Sequence, residues 1–398
     1  MALVTTFLTT PIVMAIYKPA RRSAPYKHRT IQRNDTDSEL RVLACFHGSR
    51  NIPTMINLIE SSRGIRRRGI TVYAMHLMEL SERSSAIFMV HKARLNGLPF
   101  WNRKGDSDNG ADHLVIAFQA YQQLSNVSVR PMIAISDLET MHEDIITSAD
   151  QKRAAFILLP FHKLQQIDGS MESIGHAYHL INRRVLRRAP CSVGILVDRG
   201  LGGAAQVVAS EVSYTVATLF FGGRDDREAL AYAARMAEHP GIQLIVVRFI
   251  PQTGNLFPER SRDGGGSVTI TVDANEISAD DACITEFRDK VLASNESIKY
   301  DDKAVGSRAE IIAAIKSIGR CNLFLAGQAP PTMVLSEKAD SPELGPVGNY
   351  LASSEFSTTT SVLVIKQHDP TADPPDPEDD GTEIYDEPDT PTTDLSRH

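Results

Sequence analysis

The chain has 398 residues, long enough for two or three domains of about 100–200 residues each. Hydrophobic content of 42% and charged content of 23% are those of a globular protein able to bury large cores. The net charge of −7 is concentrated in Asp369–Asp394, with eleven acidic residues and no basic one, and the slightly basic body has only short clusters such as Arg66-Arg67-Arg68 and Arg183-Arg184. A nucleic-acid partner needs a dense basic face, so that class is excluded.

Met1–Tyr17 (MALVTTFLTTPIVMAIY) carries no charge, and Lys18, Arg21, Arg22, Lys27, Arg29 and Arg33 follow before any acidic residue. A secretory signal has the opposite order, with its positive charges first. The order here suits the end of a membrane helix leaving on the cytosolic side. A full span needs about 20 apolar residues, and this stretch falls short and contains Pro11. It is therefore expected to be the end of a transmembrane helix (1–17), with a buried helix or a poorly ordered terminus as the alternative. Residues 18–38 form a basic juxtamembrane linker in which Lys18, Arg21 and Arg22 are candidates for contact with anionic lipid.

From there strand-like and helix-like segments alternate. Strands are expected at Arg41–Phe46, Ile70–Leu77, Val127–Ile135, Ala154–Leu159 and Ser192–Val197. Helices are expected at Asn51–Ser62, Ala111–Leu124, Met141–Arg153 and Gly175–Arg188. Strands separated by helix-length segments argue for crossovers and a parallel sheet. The pattern then restarts, with strands at Thr215–Phe221, Ile242–Phe249, Asn322–Ala326 and Ser361–Ile365 and helices at Asp225–Glu238, Asp281–Ala293 and Arg308–Ile318. In the first of these helices Ala229, Leu230, Ala233, Met236 and Ala237 form one stripe at helical spacing. Asp225 with Glu228 reads as a capping arrangement or a solvated first turn.

The expected fold class is thus α/β, with two tandem Rossmann-like parallel-sheet units at 39–200 and 214–368, joined by a linker at 201–213. Gly254–Gly266 reads as a Gly-rich charged loop. Residues 369–398, with six prolines and few large apolar residues, form an acidic tail expected to be disordered. The four cysteines, Cys45, Cys191, Cys283 and Cys321, contain no Cys-x-x-Cys pair and read as small buried hydrophobes of a reducing compartment.

The strings TTFLTTPIVMAIYKPARR, FHGSRNIPTMINLIESSRG, NRRVLRRAPCSVGILVDRG, FFGGRDDREALAYAARMAEHPG and SPELGPVGNYLASSEFSTTTSVLVIKQ resemble the C-terminal half of plant cation/proton exchangers, from Leu3 to about Asp369. Within them, Arg184–Val197 (RVLRRAPCSVGILV) is similar to the closing segment of universal stress proteins, where Pro190 ends a helix and sets an extended entry to the last strand. The resemblance implies the cytosolic regulatory region of an endomembrane or vacuolar antiporter that exchanges K+, or else Na+ or Cs+, for H+. Its partner would be the membrane domain of the same transporter, and the transport site would lie outside this chain. The alternative is a free-standing nucleotide-binding protein like the universal stress proteins. A homodimer is left open.

Universal stress proteins that hold ATP use an acidic residue after the first strand and a Gly-x-x-Gly loop after the fourth. Glycines there let backbone N–H groups approach phosphates. This chain departs from that pattern. His47 takes the acidic position of the first unit, and its fourth strand ends Leu159-Pro160-Phe161-His162. In the second unit the only candidates are Gly222, Gly223, Gly327, Gly345 and Gly348, and helix-capping turns explain them equally well. The cofactor therefore stays unassigned, a nucleotide being the one candidate. His176 and His179 share a helix face but suggest no third ligand, so no metal is expected. His142-Glu143-Asp144 reads as an ordinary acidic first turn. No constellation argues for catalysis.

Overall fold

The computed structural model describes residues 29–32, 39–48, 50–64, 69–80, 127–166, 169–201, 213–251, 274–293, 295–329 and 341–369, and parts of 117–125. The expected membrane-helix end, the lipid-facing Lys18, Arg21 and Arg22, the Gly254–Gly266 loop and the acidic tail beyond Asp369 lie outside the described residues. Among the described residues no helix is long and apolar enough to cross a membrane.

The first half runs β1 (Leu40–Phe46), α1 (Ile52–Ser61), β2 (Ile70–Glu79), β3 (Ser128–Ser136), α2 (Met141–Lys152), β4 (Phe156–Pro160), a short antiparallel hairpin of β5 (Lys163–Gln165) and β6 (Met171–Ser173), α3 (His176–Arg188) and β7 (Ser192–Val197). The second half runs β8 (Tyr214–Phe220), α4 (Arg224–Met236), β9 (Ile242–Pro251), α5 (Ala274–Phe287), β10 (Ile298–Val305), α6 (Arg308–Ser317), β11 (Leu323–Gly327), α7 (Gly345–Ala352) and β12 (Ser361–Lys366). A π-helical turn at Arg288–Leu292 follows α5, and a 3₁₀ turn at Pro342–Leu344 precedes α7.

Within each half the five main strands are parallel, in the orders β3-β2-β1-β4-β7 and β10-β9-β8-β11-β12. Numbered inside its half, each sheet reads 3-2-1-4-5, a doubly wound Rossmann-like order. The two sheets are also one. β7 pairs antiparallel with β12, from Val197↔Val362 to Val193↔Lys366, giving ten continuous strands. Gly194 makes that junction possible, because a Cβ there would meet Phe156 Cζ at 2.4 Å and Leu363 Cδ1 at 3.1 Å. Each face of the sheet carries an apolar core that crosses the junction. Phe46, Phe156, Leu244 and Leu363 belong to one core, and Ile157, Val193, Phe324 and Val364 to the other.

Local chemistry sets the ends of the elements. Helix α3 stops at Arg188, Ala189 turns extended, and Pro190 leads into β7 as the sequence requires. Ser307 caps α6 by accepting the N–H of Glu310 at 3.3 Å. Cys45, Cys191 and Cys321 are buried free thiols, and Cys283 is half-buried.

Three features correct the sequence reading. Strand β10 was not expected, because Lys299, Asp301, Asp302 and Lys303 make it resemble a solvated loop; it is an edge strand, where charge is the ordinary guard against further pairing. Helix α5 begins at Ala274, well before Asp281. The third correction concerns the first turn of α4, which is neither capped by Asp225 nor solvated.

Candidate functional site

Ligands of doubly wound sheets settle outside the carboxyl ends of the strands where strand order reverses. In the second half that point lies between β8 and β11. Strand β8 runs into Phe221-Gly222-Gly223, both glycines having positive φ (109° and 92°), and α4 starts immediately after. Its first turn, Asp225-Asp226-Arg227-Glu228, is at most 9% exposed at every residue.

Each of these side chains serves a different neighbour. Asp226 Oδ2 accepts the N–H groups of Phe221 (2.7 Å) and Gly222 (3.0 Å), while Oδ1 accepts that of Gly327 at 2.8 Å. Asp225 accepts the N–H of Gln367 at 2.8 Å and that of Ala329 at 3.1 Å. Glu228 accepts from Ser192 Oγ at 2.6 Å and from the amides of Ile31 and Gln32 at 2.5 and 3.2 Å. Arg227 pairs with Asp280 and with Glu276, the latter at 2.8 Å. The positive end of a helix and unpaired amides draw anions. Here the anions are carboxylates of the chain itself, so the expected solvated patch is buried architecture. Burial raises all three carboxyls, Asp226 to about 7, against the amide donors that favour its ionised form.

The candidate phosphate-cradling glycines are engaged in the same way. Gly222 and Gly327 donate to Asp226, and Gly223 donates to Asp280 at 2.9 Å. A Cβ on Gly327 would stand 2.5 Å from Asp226 Oδ1, and one on Gly345 (φ +64°) only 1.7 Å from the carbonyl oxygen of Gln328. Gly348 packs against Val364, where a Cβ would lie 2.5 Å from Cγ2.

The equivalent point of the first half, between β1 and β4, gathers histidines. His47 follows β1 with its ring 4.1 Å from that of Tyr178, and both ring nitrogens are buried without a hydrogen-bond partner. Burial, helped by nearby His76, lowers its pKa to about 3. His76 on β2 is lowered as well, by its own burial. At the end of β4, Pro160 has no N–H to offer a phosphate, and its carbonyl accepts from Asn182 Nδ2 at 3.0 Å.

His162 closes this end, and it was not singled out from the sequence. Its Nδ1 lies 2.7 Å from Oε1 of Glu343, and Nδ1 of His179 lies 3.1 Å from the same oxygen. The two imidazoles meet edge to face at 4.9 Å. Glu343 is 1% exposed, and its Oε2 is buried without a partner. Burial alone would raise this carboxyl, yet the His162 and His179 imidazoles beside it outweigh burial and hold the pKa down at about 2. His179 thus partners residues 17 and 164 positions away. His179 is half-buried in this contact, and the side chain of His176 lies outside the described residues. No sequence spacing pointed to Glu343. As expected, His142 stands in an acidic first turn, with Glu143 and Asp144 beside it.

The family model for the plant cation/H(+) antiporter domain matches residues 72–201, and that for the plant cation/H(+) antiporter C-terminal domain matches 213–366. The chain belongs to the plant cation/H+ antiporter family. Cation/H(+) antiporter 19 of Arabidopsis thaliana is 60% identical over 376 residues, which are 94% of this chain and 46% of that protein. Cation/H(+) antiporter 18 of the same plant is 53% identical over 392 residues, 94% of this chain and 47% of its own length. The chain therefore spans about half the length of these relatives. Among solved structures, a universal stress protein from Archaeoglobus fulgidus is similar at 12% identity and a TM-score of 0.44, over 83% of this chain and 97% of its own.

Proposed function

We propose that this chain is the regulatory region of a monovalent cation/proton antiporter that exchanges K+ for H+ in cation and pH homeostasis. Its units are residues 39–200 and 214–368, held on the cytosolic side of an endomembrane or vacuole. The observation that carries this reading is the extent of the match, nearly all of this chain against less than half of each antiporter. Ionisable groups buried in a bilayer mark ion pathways, and Met1–Tyr17 has no charged side chain. On this reading the transport site would lie in the membrane domain of the whole antiporter. Lys18, Arg21 and Arg22 would meet anionic lipid at the junction.

A regulatory region acts by favouring one transport state over another, which requires a difference in its interaction with the two states. Amides engaged by Asp226 and Asp280 support a packing role for the second half rather than nucleotide binding. The test is cation/proton exchange by the Arabidopsis antiporter 19 in proteoliposomes, with its matching region either deleted or replaced by this chain. Replacement should retain K+/H+ exchange and its pH dependence, and deletion should alter that dependence. Exchange by this chain alone, or identical exchange with and without the region, would overturn the proposal.

A further inference from the structure

His162, His179 and Glu343 come from three separate elements: the segment after β4, helix α3 and the 3₁₀ turn before α7. Their Nδ1, Nδ1 and carboxylate oxygen atoms all lie within 4.8 Å of one another. We propose that these three residues bind a divalent cation of the zinc class, which joins the first half of the chain to the second.

The donor set fits such an ion. Zinc takes imidazole nitrogen and carboxylate oxygen at about 2.0–2.2 Å, so tetrahedral ligands lie roughly 3.3 Å apart. The carboxylate oxygen already sits 2.7 and 3.1 Å from the two nitrogens, so small outward shifts make room for the ion. Imidazole with carboxylate suits zinc and its neighbours better than magnesium or calcium, which prefer all-oxygen sites. Glu343 Oε2, buried without a partner, is available as a further donor. Three protein ligands leave a fourth position for water, unlike the four protein ligands of a closed structural site.

Position gives the site its consequence. His162 and His179 belong to the first half and Glu343 to the second, so binding ties the halves together on the side of the strand ends. An ion that binds only the folded protein raises stability by mass action.

The experiment uses the full chain without an affinity tag, stripped with a chelator and titrated with Zn2+ by calorimetry and thermal melting. One ion should bind per chain and raise the melting temperature. H179Q, the more exposed substitution, should weaken binding at least ~10-fold. Co2+ should give the visible absorption of a four-coordinate site, and E343Q should abolish it. If E343Q does not fold, H179Q and H162Q carry the test. Absence of binding to the folded chain overturns the proposal, and so does binding that all the folded substituted chains retain.

Discussion

Oδ1 of Asp226 accepts the backbone N–H of Gly327 at 2.8 Å, so one buried carboxylate spans the ends of the first and fourth strands of the second half. Adding a methyl group at Gly327 tests how closed that point is. Its Cβ would fall 2.5 Å from Asp226 Oδ1 and 2.7 Å from the Asp226 backbone nitrogen, which cannot swing away. Gly327→Ala should cost about 1–3 kcal/mol in urea unfolding, the range of overpacked cores. An unchanged midpoint would mean that the crevice is open. The intact chain should accordingly show no tight binding of fluorescent ATP, and a low-micromolar Kd would contradict the assignment of these amides to Asp226.

His47 makes the opposite prediction, because the native residue is the costly one. Both its ring nitrogens are buried without partners, and a buried polar atom left unpaired costs about 1–3 kcal/mol. His47→Phe keeps the aromatic contact with Tyr178 and removes those atoms, so the variant should be more stable at neutral pH. The acid limb should change too. The folded state keeps His47 neutral down to about pH 3, whereas the unfolded chain takes up a proton near 6.5. The unfolded state therefore binds more protons in that window, so the native chain loses stability as pH falls from about 6.5 toward 3. The phenylalanine variant should lose this part of the slope, as seen in melting temperature against pH. A slope identical to that of the native chain would refute the burial argument.

The regular skeleton was legible in the sequence, while the contacts between its halves were not. Apolar runs such as Ser192–Val197 and the stripe on α4 specify their elements locally, so both doubly wound patterns could be read off. Strand β10 escaped because its exposed face is charged. Acidic residues in a first helical turn are usually solvated, and only the fold brings the amides of Ile31, Gln367 and Gly327 to those of α4. The contact between Glu343 and His179 crosses 164 positions, and no local spacing encodes it. The sequence reading of Pro160 and His47 as departures from a phosphate site rests on side-chain chemistry alone.

Glu343 gives a second, separate acid transition. Its folded pKa of about 2 lies below the ordinary 4.5, so the folded state holds fewer protons than the unfolded one between these values. Its stabilising share is present above about 4.5 and is lost as pH falls toward 2. At about 1.4 kcal/mol per unit it amounts to roughly 3 kcal/mol. Glu343→Gln should be less stable at neutral pH and flatter across this window. Curves for the variant and the native chain that stay parallel through the window would rule the carboxylate out as the origin.

The end of β12 supplies the last test. Beyond Lys366, the N–H of Gln367 donates to Asp225 at 2.8 Å, and that of His368 donates to Ser192 Oγ at 3.3 Å. Ser192 in turn donates to Glu228 at 2.6 Å, so two carboxylates of α4 depend on two backbone groups at the close of the sheet. Truncation after Asp369 keeps both bonds and should leave the melting temperature unchanged. Truncation after Lys366 removes both and strips one amide donor from the buried Asp225 carboxylate. It should cost about 1–3 kcal/mol, the penalty for buried polar groups that lose a partner. A fall of equal size in the two truncated chains would show instead that the residues after Asp369 stabilise the body.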